Sequence, residues 1–341
     1  MDPQAAVGSQ VKSLVRLACA ALVVCGTPAR AFAADRYALV VTGASGGPEF
    51  ARKYDEWRAA LTAVLRARFG YPDDHVLVLA DAESPSIRKP TRENVRAAIA
   101  ELKARASKDD VVLIVLIGHG NVPDGAGEEA RFNLIGPDLS AREWADLVRP
   151  IQGRLVFVNC ASGSAPFLQA LSAHGRVVIT ATDTAAQQYE TVFPQFFIRA
   201  FTAPEADADK DGVVSMWEAF SYASAGVRTW YEQQGRLQTE RALLDDDGDG
   251  VGREALSPGS DGALARVTRL EADRPIVATG DAQLTALLQR RAAVQAQIDE
   301  LRARRAELPP DRYDGQMEPL LLELARIDAQ VRSRQTPSPR H

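Results

Sequence analysis

A cysteine and a histidine each stand where a run of strand-forming residues gives out. The first ends as Gly153-Arg154-Leu155-Val156-Phe157-Val158-Asn159-Cys160-Ala161-Ser162-Gly163, the second as Val111-Val112-Leu113-Ile114-Val115-Leu116-Ile117-Gly118-His119-Gly120. Strand ends of this kind are where α/β folds build their sites. A thiol nucleophile needs a group that moves protons and donors aimed at the oxyanion formed when it attacks a carbonyl. His119 and Cys160 are the catalytic residues expected on these grounds, with the amides of Gly120 and Cys160 as oxyanion donors. The glycines flanking His119 allow backbone to approach a substrate closely.

The elements that must carry these groups alternate along the chain. β-Branched runs at Tyr37 to Thr42, His75 to Ala80, Val111 to Ile117, Leu155 to Val158 and Arg176 to Ala181 alternate with amphipathic stretches such as Glu49 to Phe69 and Thr91 to Ala106. That order predicts an α/β fold, a mostly parallel sheet with helices on both faces, over residues 34–204. Thr91 is placed as an N-cap, Ser140 with Glu143 as a capping box, and Asp81 to Pro90 as an exposed loop. Further on, Leu284, Leu287, Val294, Ile298 and Leu301 recur at helical spacing, as do Leu320, Leu324, Ile327 and Val331. Two antiparallel helices over 281–333 are expected, after a linker at 257–280 and before a disordered tail at 334–341. Such a hairpin could dock on the catalytic domain or self-associate.

Residues 1–33 read as a secretory signal: Lys12 and Arg16 precede an apolar stretch of about ten residues, and Ala31-Phe32-Ala33 is a small-x-small cleavage site. Export, periplasmic or secreted, is therefore expected. Cys19 and Cys25 lie in that segment, so Cys160 has no intrachain disulfide partner after cleavage. Removing Lys12, Arg16, Arg30 and Asp2, a net +2, moves the formal charge from −5 to −7. An acidic chain without a basic block argues against nucleic acid as a partner. No stretch reaches the roughly 20 apolar residues of a membrane span.

A second constellation points to calcium. Asp207-Ala208-Asp209-Lys210-Asp211-Gly212-Val213-Val214-Ser215-Met216-Trp217-Glu218 puts oxygen ligands at positions 1, 3, 5, 9 and 12 of a 12-residue loop, the Val213 carbonyl at 7, and glycine at 6 for the turn. Asp207, Asp209, Asp211, Val213, Ser215 and Glu218 are the expected ligands. Asp245, Asp247, Asp249 and Val251 repeat the first half of that pattern, but Leu256 stands where the closing glutamate belongs, leaving Glu254 as a substitute. An EF-hand-like calcium region over 205–256 follows.

Gly118-His119-Gly120 and Asn159-Cys160-Ala161-Ser162-Gly163, each after a strand and in that order, resemble the legumain-like branch of the caspase-type cysteine peptidases. The resemblance covers about Tyr37 to Phe201, including Val41-Thr42-Gly43-Ala44-Ser45-Gly46 and Val177 to Thr182 with Gln187-Gln188-Tyr189. It implies a caspase-like three-layer sandwich and an acyl-enzyme mechanism on peptide bonds, with Cys160 as nucleophile and His119 as proton shuttle. Where that family places an asparagine that orients the histidine, this chain has Ser45. Where it places an acidic residue two before the cysteine, this chain has Val158, so asparagine specificity does not carry over. The family's pocket arginine would fall near Arg52 or Lys53.

Two competing readings of Gly43-Ala44-Ser45-Gly46-Gly47 fail on context. A serine nucleophile elbow normally lies deeper in its domain, and a dinucleotide loop needs a glycine where Glu49 stands. The expected function is thus an exported cysteine endopeptidase stabilised by calcium. The alternatives are a transpeptidase using the same acyl-enzyme and an inactive calcium-binding scaffold on the same fold.

Overall fold

The computed structural model describes residues 34–81, 84, 87–122, 130–271, 281–303 and 308–335. The expected signal at 1–33 and the last residues of the tail, 336–341, lie outside them. So does the second part of the expected linker, 272–280.

A six-stranded sheet forms the middle layer, built from β1 (Arg36–Thr42), β2 (Val76–Leu79), β3 (Val111–Ile117), β7 (Arg154–Asn159), β8 (Arg176–Thr180) and β9 (Leu243–Asp245). Their spatial order is β2-β1-β3-β7-β8-β9, parallel throughout except for β9. Nearly continuous apolar runs suit this arrangement, because a parallel sheet covered on both faces buries every position. Helices α1 (Pro48–Ala63), α5 (Phe193–Ala200) and α6 (Met216–Gln233) supply apolar side chains to the core on one face. Helices α2 (Arg92–Arg105), α3 (Ala141–Val148) and α4 (Ala165–Leu171) supply the core of the other. The class expected from the sequence, an α/β three-layer sandwich with a mostly parallel sheet, is the one observed.

Local signals act as their chemistry dictates. Thr91 accepts from the Asn94 amide, and Ser140 and Glu143 close a reciprocal capping box at α3. Helix α1 gives way to a π-helical turn over Val64–Arg68, so the expected helix to Phe69 is two elements joined end to end. A small antiparallel sheet of β4 (Gly120–Asn121), β5 (Arg131–Phe132) and β6 (Leu139–Ser140) lies immediately beyond His119.

The region after residue 204 differs from the expected appendage. Instead of an EF-hand's entering helix there is a single 3-10 turn, Pro204–Ala206, and α6 packs into the main core. Strand β9 joins the central sheet, with Thr180 opposite Leu243. The described part of the expected linker carries α7 (Ala263–Val267), anchored by the buried Asp246 carboxylate, which accepts the amides of Gly262 and Ala265. Short apolar segments such as Leu243-Leu244 gave no periodicity to read, and their pairing is long-range.

The hairpin consists of α8 (Ala282–Ala303) and α9 (Pro310–Gln335), so residues 334 and 335 of the expected tail are helical. Val294, Ile298 and Leu301 meet Tyr313, Ile327 and Val331 in a core of its own. The apolar stripe read from the sequence is thus used within the chain, while Leu321 and Leu322 stay half-exposed.

Removing the Asp246 carboxylate leaves two buried amides without acceptors. Asp246→Ala is expected to lower the unfolding free energy by about 2 kcal/mol, measured by urea denaturation, whereas Leu256→Ala, at a residue 78% exposed, should leave it unchanged.

Candidate active site

Alternation along the two central strands decides where the chemistry goes. In β3, Val115 and Ile117 point to the α1 and α5 face, and in β7 Val156 and Val158 do the same. The register sets Leu116 opposite Asn159. Continuing the alternation by one residue past each strand puts Cys160, and by two puts His119, on that same face. Cys160 indeed belongs to the core on that side, and His119 meets Phe50 and Tyr54 of α1.

His119 is half-buried. Its Nε2 is 2.9 Å from the Tyr54 hydroxyl, and Phe50 packs edge-on at a ring separation of 4.8 Å. Nδ1 has no hydrogen-bond partner among the described residues and is the nitrogen available for proton transfer. Burial lowers the imidazole's pKa, and the Glu190 carboxylate partly offsets this. The ring's hydrogen-bond partner is therefore Tyr54 and not Ser45, the orienting residue that the resemblance implies. Ser45 leaves the strand in a turn held by the Ala44 amide on the Asn133 carbonyl, and it contributes no hydrogen bond to the ring. At Gly43 a side chain could not fit, because a Cβ would lie 2.3 Å from the Asn133 oxygen.

Cys160 is 1% exposed. Burial, with the carboxylate of Glu240 adding to it, pushes the thiol above its usual pKa, so the structure favours the neutral form. Its amide donates to the Leu116 carbonyl at 2.9 Å, extending the β3–β7 ladder. That corrects the expectation that the Cys160 amide is free for an oxyanion. The Gly120 amide donates to the Ser162 hydroxyl at 3.2 Å, and that buried hydroxyl in turn donates to the Gly120 carbonyl at 3.2 Å. A Cβ on Gly120 would come within 2.4 Å of the Ser162 carbonyl, so only glycine lets the two strand ends approach this closely.

Four consecutive residues brace the wall beside Cys160. Glu190 accepts from Lys53 of α1 at 2.7 Å, Thr191 donates to the Cys160 carbonyl, and the Val192 and Phe193 amides donate to the carboxylate of Glu240. Lys53, one of two residues considered for a substrate pocket, is thus engaged with Glu190, while Arg52 is exposed. Tyr54, Glu190, Thr191 and Glu240 were missed by sequence reasoning. Tyr54 follows Phe50 by one helical turn, which marked an inward face but not a partner for the histidine.

The first acidic loop brings the carboxylates of Asp207, Asp209 and Asp211 within 4.8 Å of one another. Asp207 accepts the Gly212 amide, Asp209 the Asp211 amide and Asp211 the Val213 amide. Ser215 caps α6, and Glu218 reaches back to the Ala208 and Asp209 amides, closing the loop on itself. Asp245, Asp247 and Asp249 repeat the pattern on the Gly250, Asp249 and Val251 amides. Each cluster also carries an arginine: in the first, Arg269 donates to Asp211 at 2.9 Å. In the second, Arg253 donates to Asp249 at 2.8 Å and to the buried Asp261 at 2.7 Å. Glu254, the expected substitute ligand, faces Arg241.

No protein-family model matches this chain. Among curated proteins it is similar to metacaspase-7 of Arabidopsis thaliana, 40% identical over 63 residues, 18% of this chain and 15% of that protein. Metacaspase-4 of the same plant is 30% identical over 112 residues, 29% and 26% of the two chains. Metacaspase-1B of Aspergillus oryzae is 27% identical over 120 residues, 31% and 29%. The matched stretch thus spans less than a third of each relative. Among solved structures, the Drosophila initiator caspase Dronc superposes with a TM-score of 0.42 at 11% identity, over 66% of this chain and 84% of that one. Protein GSU0716 of Geobacter sulfurreducens gives 0.40 at 15% identity, over 62% and 92%. The sequence similarity is thus to metacaspases, over part of their length.

The Glu190 charge raises the His119 pKa against the lowering effect of burial. Glu190→Gln should therefore shift the His119 titration to lower pH in an NMR pH series, leaving more neutral imidazole at pH 6.5, the ordinary midpoint.

Proposed function

We propose that this protein is a caspase-type cysteine peptidase that cleaves peptide bonds through an acyl-enzyme on Cys160. The observation that carries this reading is the placement of His119 and Cys160 at the ends of adjacent parallel strands, on one face of the sheet. The metacaspase similarity supports the same class, and the motif order supports its legumain-like branch.

The steps follow from the groups present. The Cys160 thiol gives its proton to Nδ1 of His119 as sulfur bonds to the substrate carbonyl carbon. The tetrahedral oxyanion takes a hydrogen bond from the Gly120 amide once Ser162 turns aside. The C–N bond then breaks as the imidazolium returns the proton to the leaving amine, leaving a thioester. Water, deprotonated by His119, resolves the thioester to a carboxylic acid and restores the thiol. An amine in place of water gives transpeptidation. Tyr54 holds Nε2 and so fixes which nitrogen faces the substrate.

Calcium at the first loop belongs to the same proposal. Asp207, Asp209 and Asp211 converge as a hard cation requires, Val213 offers its carbonyl, and one Asp207 oxygen is buried without a partner. Bound there, calcium would neutralise the acidic turn that leads into α6. Each loop already carries an arginine, Arg269 on Asp211 and Arg253 on Asp249, but the second has Leu256 where the closing glutamate belongs, so one ion per chain is expected. Export, read from residues 1–33, completes the proposal.

One observation favours a second reading. The thiol is enclosed and neutral, as in a core cysteine, which suits an inert scaffold on this fold. Cleavage of a peptide library by wild type, abolished in Cys160→Ala and His119→Ala, supports the peptidase. A wild-type protein that cleaves nothing, with Cys160 unreactive until unfolding, establishes the scaffold. Titration calorimetry is expected to show one calcium per chain, lost in Asp207→Ala/Asp209→Ala. Calcium at a hundred times its dissociation constant should stabilise the fold by about 2.7 kcal/mol, read as a rise in Tm.

A further inference from the structure

Glu240 is a fully buried carboxylate, 0% exposed, that belongs to neither the dyad nor the acidic loops. A charge-bearing group in a core is costly unless its oxygens are bonded. Here both are: Oε2 accepts the Val192 amide at 2.8 Å and Oε1 the Phe193 amide at 2.7 Å, at the start of α5. Gln238 holds the Glu240 carbonyl at 2.8 Å, so the chain carrying the carboxylate is itself fixed. The residue just before those two amides, Thr191, is the one whose hydroxyl donates to the Cys160 carbonyl.

We propose that Glu240 is a positioning residue for the Cys160 nucleophile, acting through the Val192 and Phe193 amides and Thr191. The role rests on the peptidase reading only for its catalytic consequence; its effect on the thiol does not. A carboxylate with two successive amides fixes the orientation of the segment that contains Thr191. Thr191 in turn fixes the carbonyl of the residue whose sulfur must attack. The segment has to be held, because after the Ala181 amide closes the β7–β8 ladder it crosses to α5 without strand or helix assignment from 182 to 192.

The electrostatic setting supplies a signature. Glu240 raises the Cys160 thiol pKa, and burial raises Glu240's own to about 7, opposed by its two amides and assisted by Glu190. Tyr231 on α6 faces Glu240, and Glu190 on the segment acts on Glu240 as well as on His119 and Tyr54. Above pH 7 the carboxylate is charged, and there its removal must make the thiolate easier to form. A role confined to packing leaves the thiol's pH dependence alone.

The test measures the pH profile of Cys160 alkylation by iodoacetamide, its midpoint taken as the pH of a fixed reference rate, and kcat and KM for a cleaved peptide, in wild type, Glu240→Gln, Glu240→Asp and Thr191→Val. Glu240→Gln keeps the shape, removes the charge and loses one amide bond. It should move the alkylation midpoint to lower pH and lower kcat about tenfold to a hundredfold, the scale of a small misplacement of reacting groups, with KM within about twofold. Glu240→Asp should keep the wild-type midpoint. Thr191→Val should lower kcat without moving the midpoint, and the Glu240→Gln/Thr191→Val pair should lose less than the product of the single losses. An alkylation profile and kcat unchanged in Glu240→Gln overturn the proposal, as do fully multiplicative losses. If wild type cleaves nothing but the alkylation midpoint still moves, the peptidase reading fails and Glu240 still tunes the thiol.

Discussion

Parallel pairing of β3 with β7, in a register that sets Leu116 opposite Asn159, is the constraint on which the site depends. Side chains on neighbouring parallel strands share a face when their parities agree. Cys160 is one step past its strand and His119 two, and those steps happen to restore agreement. A slip of one residue would send one of them to the opposite face, among Phe157 and Trp144. Both strands are apolar on both faces, so that slip is resisted by the fit of side chains into two differently shaped cores. Chemistry here is therefore positioned by core packing several residues away.

Close approach is the second requirement, and backbone alone satisfies it. Beyond the strands the chain must turn within hydrogen-bond reach of its neighbour, and Gly120 against Ser162 is where no side chain fits. Beneath that turn, Ser164 and Thr182 exchange hydrogen bonds with each other's turns, tying the end of β7 to the end of β8. Both hydroxyls are fully buried. The thiol sits over this framework with apolar neighbours and an anion behind it, which keeps sulfur protonated. In the proposed peptidase, the half-buried imidazole held by a phenol would be the group that draws the proton off.

Much of this could be read along the chain because it is local. Five of the six strands of the main sheet, the caps at Thr91 and Ser140 and both helices of the hairpin declare themselves through β-branched runs, capping residues and helical spacing. His119 and Cys160 stood out because each breaks an apolar run at its end. What stayed hidden is long-range. Tyr54 lies 65 residues from the histidine it holds, and Glu240 lies 48 from Val192, so no window along the chain contains either pair. Strand β9 was missed for the same reason: three residues without alternation become a strand only when β8 offers an edge. The Cys160 amide looked free in sequence because nothing local shows that the ladder continues one residue beyond its strand.

An arginine of the chain stands on each acidic loop, Arg269 on Asp211 in the first, Arg253 on Asp249 and the buried Asp261 in the second. Three carboxylates crowded into one turn repel each other unless a cation joins them. Here the cation is covalently part of the chain, at a fixed ratio that no solvent composition alters. Strand β9 runs directly into the second turn, so the edge of the main sheet is closed by a group present from the moment of synthesis. The sheet edge beside Glu240 thus carries its own counter-charge.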